Sequence, residues 1–310
     1  MIHAQELHPL DLHPESIAAL ADHFARHPQS HRELQIAAEG SLESAWDDVE
    51  ADDGHGHKRG RHGDGHKAPP PLKMKPHGSI TPEQAASSAA ALARRIAADQ
   101  SLIEIQRKRA ALPVDEFKPA ILEAVEHSQV VLVAGATGCG KTTQVPQYLI
   151  DDAWARGVGA AIMCTQPRRI SAVTVSERVA NERGEQIGAG SVGYQIRLET
   201  KSSAECALMF CTNGVLLRRL TSPGADKMLE SLSHIVIDEL HERDLFADFL
   251  TIVLRGVLAR HPHLRLVLMS ATVREDLFSE YFGGCPVIRV PGYTHPVADY
   301  HLEDLSLIHI

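Results

Sequence analysis

Residues 135 to 142 read GATGCGKT and fit the pattern G-x-x-x-x-G-K-[ST], which is typical of a phosphate-binding loop. The pattern follows an apolar run and opens an amphipathic stretch, so it has the strand–loop–helix context that a phosphate loop requires. Gly135, Gly138 and Gly140 allow the backbone N–H groups to converge on a phosphate, next to the positive end of a helix dipole. The alternative is a glycine turn before an ordinary helix, which this context disfavours.

The side chains of the loop indicate how a nucleoside triphosphate would be held. Lys141 is predicted to neutralise the β- and γ-phosphates, and the hydroxyl of Thr142 is predicted to bind Mg²⁺. The other predicted nucleotide contacts come from the loop and the residue after it: Gly135, Ala136, Thr137, Gly138, Cys139, Gly140 and Thr143. A phosphate loop alone indicates nucleotide binding and names no particular reaction.

Two adjacent acidic residues end a second apolar run, in the segment IVIDELH at residues 235 to 241. A buried strand would deliver both carboxylates to its carboxyl end. Asp238 is then placed to hold Mg²⁺ through water, and Glu239 to lie at the metal site, where it orients and deprotonates an attacking water. The alternative is that the pair caps the helix that follows, but the phosphate loop upstream favours the catalytic interpretation.

The elements that must position these residues alternate in type after Pro113. Predicted strands are the apolar runs at residues 129 to 134, 160 to 165, 207 to 212, 234 to 239, 264 to 270 and 286 to 290. Predicted helices between them include Thr142 to Ala155, Ile170 to Glu185 and Leu245 to Arg260. This alternation predicts an α/β fold with a mostly parallel sheet covered by helices on both faces. Ligands of such sheets bind at the carboxyl ends of the strands, where each motif falls.

Five segments occur in order along the chain: GATGCGKTTQVPQ, TQPRR, CTNG, DELHERD and MSAT. Together they resemble the successive motifs of DEAH-box (DExH) RNA helicases of superfamily 2. The similarity covers roughly residues 105 to 303 and includes SERVANERGE, SVGYQIRLETK, GVLLRRL and FSEYFGG. The resemblance implies a first RecA-like, P-loop domain. It also implies that ATP, or another nucleoside triphosphate, is hydrolysed under RNA stimulation to drive 3′-to-5′ strand separation.

The resemblance assigns two of these segments to single-stranded RNA. It implies that Arg168 and Arg169 in TQPRR, with Thr212 and Gly214 in CTNG, contact the sugar-phosphate backbone. Arginine forks suit phosphates, and backbone contacts carry no sequence information. These residues therefore leave the RNA target unspecified.

The resemblance also implies roles for residues around the nucleotide. Arg178 in SERVA matches a position whose guanidinium stacks on the base; it could instead lie on a solvated helix face. Ser270 and Thr272 in MSAT match the motif that passes the state of the γ-phosphate on to strand separation. His241 is expected to act with the catalytic residues in the same relay, and a histidine satisfied within the core is its alternative.

Composition narrows the class of protein. The chain has 310 residues, 44% of them apolar, which is enough for a substantial core. Its formal net charge is −9 and its pI is near 6.1, so any surface for nucleic acid must be local. A secretion signal and a membrane-spanning run are both missing from the sequence, and we therefore expect a soluble intracellular protein without a membrane partner. The choice between nucleus and cytoplasm is left open.

Five cysteines are present, at positions 139, 164, 206, 211 and 285, without a CxxC pair or a Cys/His spacing suited to zinc. We expect them to be reduced and buried.

The chain is expected to divide into four parts. Residues 1 to 80 form a His-, Gly- and Pro-rich extension, mostly disordered, and residues 81 to 112 a helical lead-in. The RecA-like domain follows at 113 to 295, and residues 296 to 310 begin a linker. The lead-in is predicted to be one helix that starts at Thr81 and ends before Pro113.

The tract GHGHKRGRHGDGHK in the extension is open to two interpretations, a solvated linker or an arm that binds metal or RNA. The linker is favoured, because glycine spacing does not preorganise a metal site.

The segment PGYTHPVADYHLED after Val290 resembles the bridge to a second RecA-like domain, but the sequence stops at Ile310. We expect a truncated chain whose missing domain would supply arginine fingers and the other wall of the nucleotide cleft. The alternative to an active helicase is therefore a fragment that binds nucleotide and RNA without turnover. Protein partners are not indicated.

Overall fold

The computed structural model describes residues 74 to 242, 244 to 271 and 275 to 292. The helices of this part of the chain are α1 (Pro82–Ala98), α2 (Gln100–Ala110), α3 (Pro113–Glu116), α4 (Lys118–His127), α5 (Lys141–Ala155), α6 (Arg169–Glu182), α7 (Asn213–Thr221), α8 (Ala225–Ser231), α9 (Leu245–Arg260) and α10 (Glu275–Tyr281). The strands are β1 (Val130–Gly135), β2 (Ile162–Gln166), β3 (Val192–Ile196), β4 (Glu199–Lys201), β5 (Leu208–Thr212), β6 (His234–Ile237), β7 (Arg265–Ser270) and β8 (Val287–Val290). Short 3-10 turns lie at His77–Ser79 and Leu240–Glu242.

The eight strands form one sheet in the order β4-β3-β5-β2-β6-β7-β1-β8. Every neighbouring pair is parallel except β3 and β4, which are antiparallel. Strand β1 lies next to the edge strand β8, and its Val133 is level with Met269 of β7 on one side and Ile288 of β8 on the other. The carboxyl ends of the parallel strands therefore meet at one edge, called the carboxyl edge below.

Both faces of the sheet are buried, which explains why the strands are continuous apolar runs. Along β1, Leu132 points into one hydrophobic cluster, whereas Val131 and Val133 point into the other, and each is at most 1% exposed. Helices α7 and α9 cover the first face, and α1, α4, α5 and α6 cover the second. The predicted α/β fold with helices on both sides of a mostly parallel sheet is confirmed.

The six predicted strands are all present, with bounds that differ by one or two residues. Strands β3 and β4 are not among the predicted strands, although their segment, SVGYQIRLETK, is part of the resemblance to DEAH-box helicases. Strand β3 is the second strand from one side of the sheet and is fully buried. Strand β4 is the outermost strand, three residues long and exposed. A strand that short carries no periodic apolar signal, so its pairing could not be predicted.

The helical lead-in begins where predicted but is not continuous. The hydroxyl of Thr81 accepts a hydrogen bond from the Gln84 N–H, and the Gln84 side chain accepts one from the Thr81 N–H, which completes a capping box. The expectation of a single helix is wrong, because the chain is extended at Asp99 and a new helix starts there. The Asp99 carboxylate accepts a 2.8 Å hydrogen bond from the Ser101 N–H and caps α2.

Residues 74 to 79, at the end of the extension, make specific contacts with the rest of the domain. Met74 lies against the first hydrophobic cluster, and the Lys75 N–H donates a 3.2 Å hydrogen bond to the Cys206 carbonyl. Nδ1 of His77 lies 3.1 Å from the Ser231 carbonyl. An apolar anchor and two backbone partners order this end of the segment. The His/Gly-rich tract lies outside the described residues, as do residues 296 to 310.

Within the described ranges, no helix is both long enough and apolar enough to cross a membrane. All five cysteines are buried free thiols, as predicted. Burial raises the pKa of Cys206 and of Cys211 to about 12, so both thiols stay protonated and unreactive near neutral pH.

Candidate nucleotide-binding site

The phosphate loop connects β1 to α5 at the carboxyl edge. Gly138 and Gly140 adopt positive φ angles of 81° and 98°, which favour glycine. A Cβ at Gly140 would also lie 2.9 Å from Cδ1 of Leu112, so the close approach of that segment excludes a larger residue. Ala136, Thr137 and Gly138 are exposed, which leaves this part of the loop open to a ligand.

Lys141 is 5% exposed and begins α5. Its ammonium donates to the carbonyl of Gly135 and, over 3.1 Å, to that of Ala136, and it lies 3.7 Å from the Cys139 sulfur. The loop therefore wraps around this cation. A phosphate group entering the loop would meet the ammonium together with the positive end of the helix.

The acidic pair follows β6, two strands away from β1 at the same edge. Asp238 is 1% exposed. Its carboxylate accepts a 2.7 Å hydrogen bond from Nε2 of Gln166 and a 2.9 Å bond from the Glu239 N–H, and the hydroxyl of Thr142 lies near it. Burial raises the pKa of Asp238, and these donors oppose the rise. Thr142 and Asp238 therefore lie close together at the carboxyl edge.

Glu239 has a left-handed backbone conformation, with φ of 53°, which is uncommon for a residue other than glycine. Strained backbone of this kind is concentrated at functional sites. The side chain is partly buried and lines the pocket beside the phosphate loop. Burial, and after it the charge of Asp238, raises the pKa of Glu239, which makes its carboxylate a better proton acceptor.

His241 connects the acidic pair to the end of β7. Its Nδ1 accepts a 3.3 Å hydrogen bond from the Ala271 N–H and lies 3.3 Å from Oε2 of Glu239. A ring nitrogen that accepts from Ala271 carries no proton to donate, so Oε2 of Glu239 is a buried oxygen that meets no hydrogen-bond donor among the described residues. Ser270 is buried at the end of β7, next to this contact. Thr272 lies outside the described residues.

A pocket of about 400 Å³ extends from the phosphate loop and Glu239 to helix α6. Arg178 lies in its wall, with a side chain that is 64% exposed and whose Nε donates a 3.1 Å hydrogen bond to Glu182. The lining residues are Leu112, Thr137, Gly138, Gly140, Lys141, Thr142, Thr143, Thr174, Val175, Arg178 and Glu239. The cavity has one end at the loop, called the phosphate end below, and another at Arg178, called the base end because the resemblance predicts a nucleotide base there.

The four residues predicted to contact RNA lie further along the same edge. Strands β2 and β5 are parallel neighbours, and Gln166 at the end of β2 is level with Thr212 at the end of β5. Arg168 and Arg169 are exposed, and the Arg168 guanidinium lies 3.4 Å from the Glu242 carboxylate. Thr212 precedes the first turn of α7, in which Gly214 is buried.

Gln166, Ala271 and Leu112 belong to the site and were not predicted. Gln166 is the polar last residue of a buried strand, and that position could have indicated a site residue. Ala271 contributes only its N–H, and Leu112 only apolar surface, so neither has a chemical signature in the sequence.

A parallel sheet between helices, a phosphate loop after β1 and an acidic pair after β6 define an ATP-binding domain of the P-loop, RecA-like class. Residues 116 to 278 match the family model described as DEAD/DEAH box helicase. The chain belongs to this family, and the resemblance found in its motifs is confirmed.

Named relatives narrow the likeness to DExH-box RNA helicases. The chain is 43% identical over 297 residues to DExH-box ATP-dependent RNA helicase DExH2 of Arabidopsis thaliana, an alignment that covers 94% of this chain and 17% of the relative. It is 50% identical over 230 residues to DExH6 of the same plant, covering 74% and 18%. It is 48% identical over 223 residues to ATP-dependent RNA helicase DHX30 of Rattus norvegicus, covering 69% and 18%. The chain thus spans less than a fifth of these relatives.

Proposed function

We propose that this chain is the ATP-binding part of an RNA helicase, in which RNA-stimulated ATP hydrolysis drives 3′-to-5′ strand separation. The observation that supports it most is the shared pocket, which joins Lys141 and Thr142 of the phosphate loop to Glu239 and Arg178. A nucleoside triphosphate of ordinary dimensions matches a cavity with cationic groups at both ends and a carboxylate beside the phosphates.

The proposed reaction is in-line attack of water on the γ-phosphorus. The water oxygen forms the new P–O bond while the bond from phosphorus to the β–γ bridging oxygen breaks, which releases ADP and inorganic phosphate. Glu239 accepts the proton that the water loses, and its raised pKa suits this role. Lys141 and the loop N–H groups neutralise the charge that builds on the phosphate oxygens.

Magnesium fits the oxygen donors at the phosphate end, namely the Thr142 hydroxyl with the carboxylates of Asp238 and Glu239. The buried Oε2 of Glu239 without a hydrogen-bond donor is consistent with a cation or its water nearby. Among the described residues, no group of three or more His, Cys, Asp or Glu side chains forms a ready metal site, so contact through water is expected. When bound, Mg²⁺ would supply positive charge that offsets the charge of the phosphates.

The proposed RNA path runs past the ends of β2 and β5. Exposed guanidiniums at Arg168 and Arg169 suit phosphates, while Thr212 and the backbone around Gly214 offer polar contacts without base recognition. Gln166 donates a hydrogen bond to Asp238 and lies two residues before Arg168. The carboxyl end of β2 therefore contacts the proposed nucleotide site through Gln166 and leads into the proposed RNA site at Arg168. This supports coupling between nucleotide binding and RNA binding.

We further propose that a second RecA-like domain faces this pocket. The Arg178 guanidinium is largely exposed at the pocket mouth, so a nucleotide base stacked on it would have one face uncovered. His241 and Ser270 are placed to report the state of the γ-phosphate to such a domain.

The test measures binding and turnover by the same 310-residue chain. ATP binding is titrated with and without Mg²⁺, and hydrolysis is followed with and without a single-stranded RNA oligonucleotide, with Lys141→Ala as the control. Binding with RNA-stimulated turnover supports the proposal. Binding without turnover supports the alternative, a nucleotide- and RNA-binding fragment. A folded chain that binds no nucleotide overturns both.

A further inference from the structure

The segment from Gln106 to Val114 is called the lead-in segment below; it begins within the helical lead-in of residues 81 to 112 and ends in α3. It lies against the nucleotide pocket. It precedes residues 116 to 278, which match the family model. It includes the last turn of α2 and the turn into α3. Its Leu112 lines the pocket beside the phosphate loop, and its Arg109 and Gln106 contact Gln144 and Glu182, behind Arg178.

At the phosphate end, the lead-in segment touches the loop backbone. The Val114 N–H donates a 3.1 Å hydrogen bond to the carbonyl of Cys139, inside the phosphate loop. Leu112 lines the pocket and packs against Gly140, where an added Cβ would come within 2.9 Å of Leu112 and 3.0 Å of Val114. The conformation of the loop therefore depends on this segment.

At the base end, the side chain of Arg178 is held by a buried carboxylate. Glu182 has a side chain that is 7% exposed. Its Oε1 accepts the hydrogen bond from Arg178, and its Oε2 accepts hydrogen bonds from Nε2 of Gln144 (3.0 Å) and Nε2 of Gln147 (2.9 Å). Glu182 thus determines where the Arg178 guanidinium can lie.

Arg109 of the lead-in segment provides the second cation for this carboxylate. Its side chain is 12% exposed, its Nε donates a 2.7 Å hydrogen bond to Oε1 of Gln144, and the same atom lies 3.6 Å from Oε2 of Glu182. Nε2 of Gln106 donates to the Glu182 carbonyl over 2.8 Å. A buried carboxylate is costly unless it is compensated. Without Arg109, Arg178 would be the one remaining cation within 4 Å of this carboxylate among the described residues, and it would be drawn toward Glu182.

We propose that the lead-in segment is a functional wall of the nucleotide site. Arg109 is a positioning residue that acts through Glu182 to keep the Arg178 guanidinium available to the nucleotide base, and Leu112 supports the phosphate loop. This inference rests on the proposed function, because it requires that the pocket binds a nucleotide.

Calorimetric titration of the whole chain with ADP and, separately, with tripolyphosphate, both with Mg²⁺, tests the inference. Arg109→Ala is expected to weaken ADP binding about tenfold, equivalent to about 1.4 kcal/mol, and to leave tripolyphosphate affinity unchanged because that ligand has no base. Arg109→Lys should recover part of the loss. Arg107→Ala, an exposed change on the same helix, is the matched control and should bind both ligands like the wild type.

Two further variants separate positioning from general destabilisation. Leu112→Ala should weaken both ligands, since it contacts the phosphate loop. Arg109→Ala combined with Arg178→Ala should bind ADP no more weakly than Arg178→Ala alone, because both changes act on one contact. Equal loss of both ligands in Arg109→Ala, or additive losses in the double variant, would overturn the positioning role.

The outcomes also distinguish this inference from the proposed function. If the folded wild-type chain binds neither ADP nor tripolyphosphate, the proposed function fails. If the wild type binds both and Arg109→Ala binds ADP with unchanged affinity, only the role of the lead-in segment fails.

Discussion

The phosphate end and the base end of the pocket are built in different ways. The phosphate end comes mainly from one continuous loop, residues 135 to 142, whose backbone and Lys141 meet the ligand. The base end combines side chains of three helices, with Arg109 from α2, Gln144 from α5 and Arg178 from α6. Phosphate recognition needs N–H groups that a local turn supplies, whereas placing a guanidinium beside a base needs tertiary contacts.

The two ends also differ in exposure. Lys141 is 5% exposed and enclosed by carbonyl oxygens of its own loop, whereas the side chain of Arg178 is 64% exposed and is held on one side by Glu182. Removal of a group at the enclosed end should therefore change affinity more than removal at the open end, because exposed charges are better screened by water.

The largest effect is expected for the chemistry at the phosphate end. Glu239→Gln should lower the RNA-stimulated hydrolysis rate by about 10²- to 10⁴-fold, because the amide cannot accept the proton of the attacking water. ATP affinity should change little. Single-turnover hydrolysis measured beside ATP binding checks this, with Glu230→Gln, an exposed change on α8, as control. A Gln variant with the full rate would remove Glu239 from its role.

Next in size is the loss of phosphate binding. Lys141→Ala should weaken ATP and tripolyphosphate alike, by about 10- to 100-fold, because a buried charged donor is lost. Arg178→Ala should weaken ATP by about 3- to 30-fold and leave tripolyphosphate unaffected. Titration of both variants with ATP and with tripolyphosphate tests whether the two ends of the pocket act separately. An equal loss of affinity for both ligands in Arg178→Ala would show that they do not.

A smaller effect is expected from pH at the phosphate end. Because the pKa of Glu239 is raised, its protonated form accumulates as pH falls while ordinary glutamates are still ionised. Hydrolysis should therefore decline below a pH that lies above 4.5, the ordinary glutamate pKa. The rate is measured at saturating ATP across this range, with ADP binding measured in parallel. A rate that stays constant down to pH 4.5 would argue against Glu239 as the base.

No effect on nucleotide binding is expected from His234, a buried residue at the start of β6, on the edge of the sheet opposite the carboxyl edge. Burial lowers the pKa of His234 to about 3 from 6.5. Between these values the unfolded chain binds a proton that the folded chain does not, so this histidine's contribution to stability is complete above 6.5 and lost as pH falls toward 3. The loss is at most about 1.4 kcal/mol per pH unit.

Denaturant unfolding of the wild type and His234→Gln from pH 7 to pH 4 measures this contribution. The free energy of unfolding should depend less steeply on pH in the variant, while ADP affinity at neutral pH stays the same. Equal slopes for the two chains would show that His234 does not titrate as expected.

Much of the fold was predictable because apolar runs and amphipathic stretches report their own secondary structure. Helix α9 has the predicted bounds, and the capping box at Thr81 is present as its sequence indicates. The break at Asp99 was not predicted, because residues of good helix propensity lie on both sides of it. Strand β4 is exposed and three residues long, so only its pairing with β3 identifies it.

For the candidate site, local sequence patterns are enough to predict the phosphate loop and the acidic pair. A glycine-rich turn followed by Lys141 and Thr142, and an acidic pair at the end of an apolar strand, are recognisable because each depends on a few adjacent residues. The contacts of Arg109 and Arg178 with the Glu182 carboxylate are seen only in the folded structure, as is the hydrogen bond from the Ala271 N–H to His241. Most of those contacts join segments that are distant along the chain. The distances between such segments depend on how helices and strands pack, which no local sequence pattern encodes.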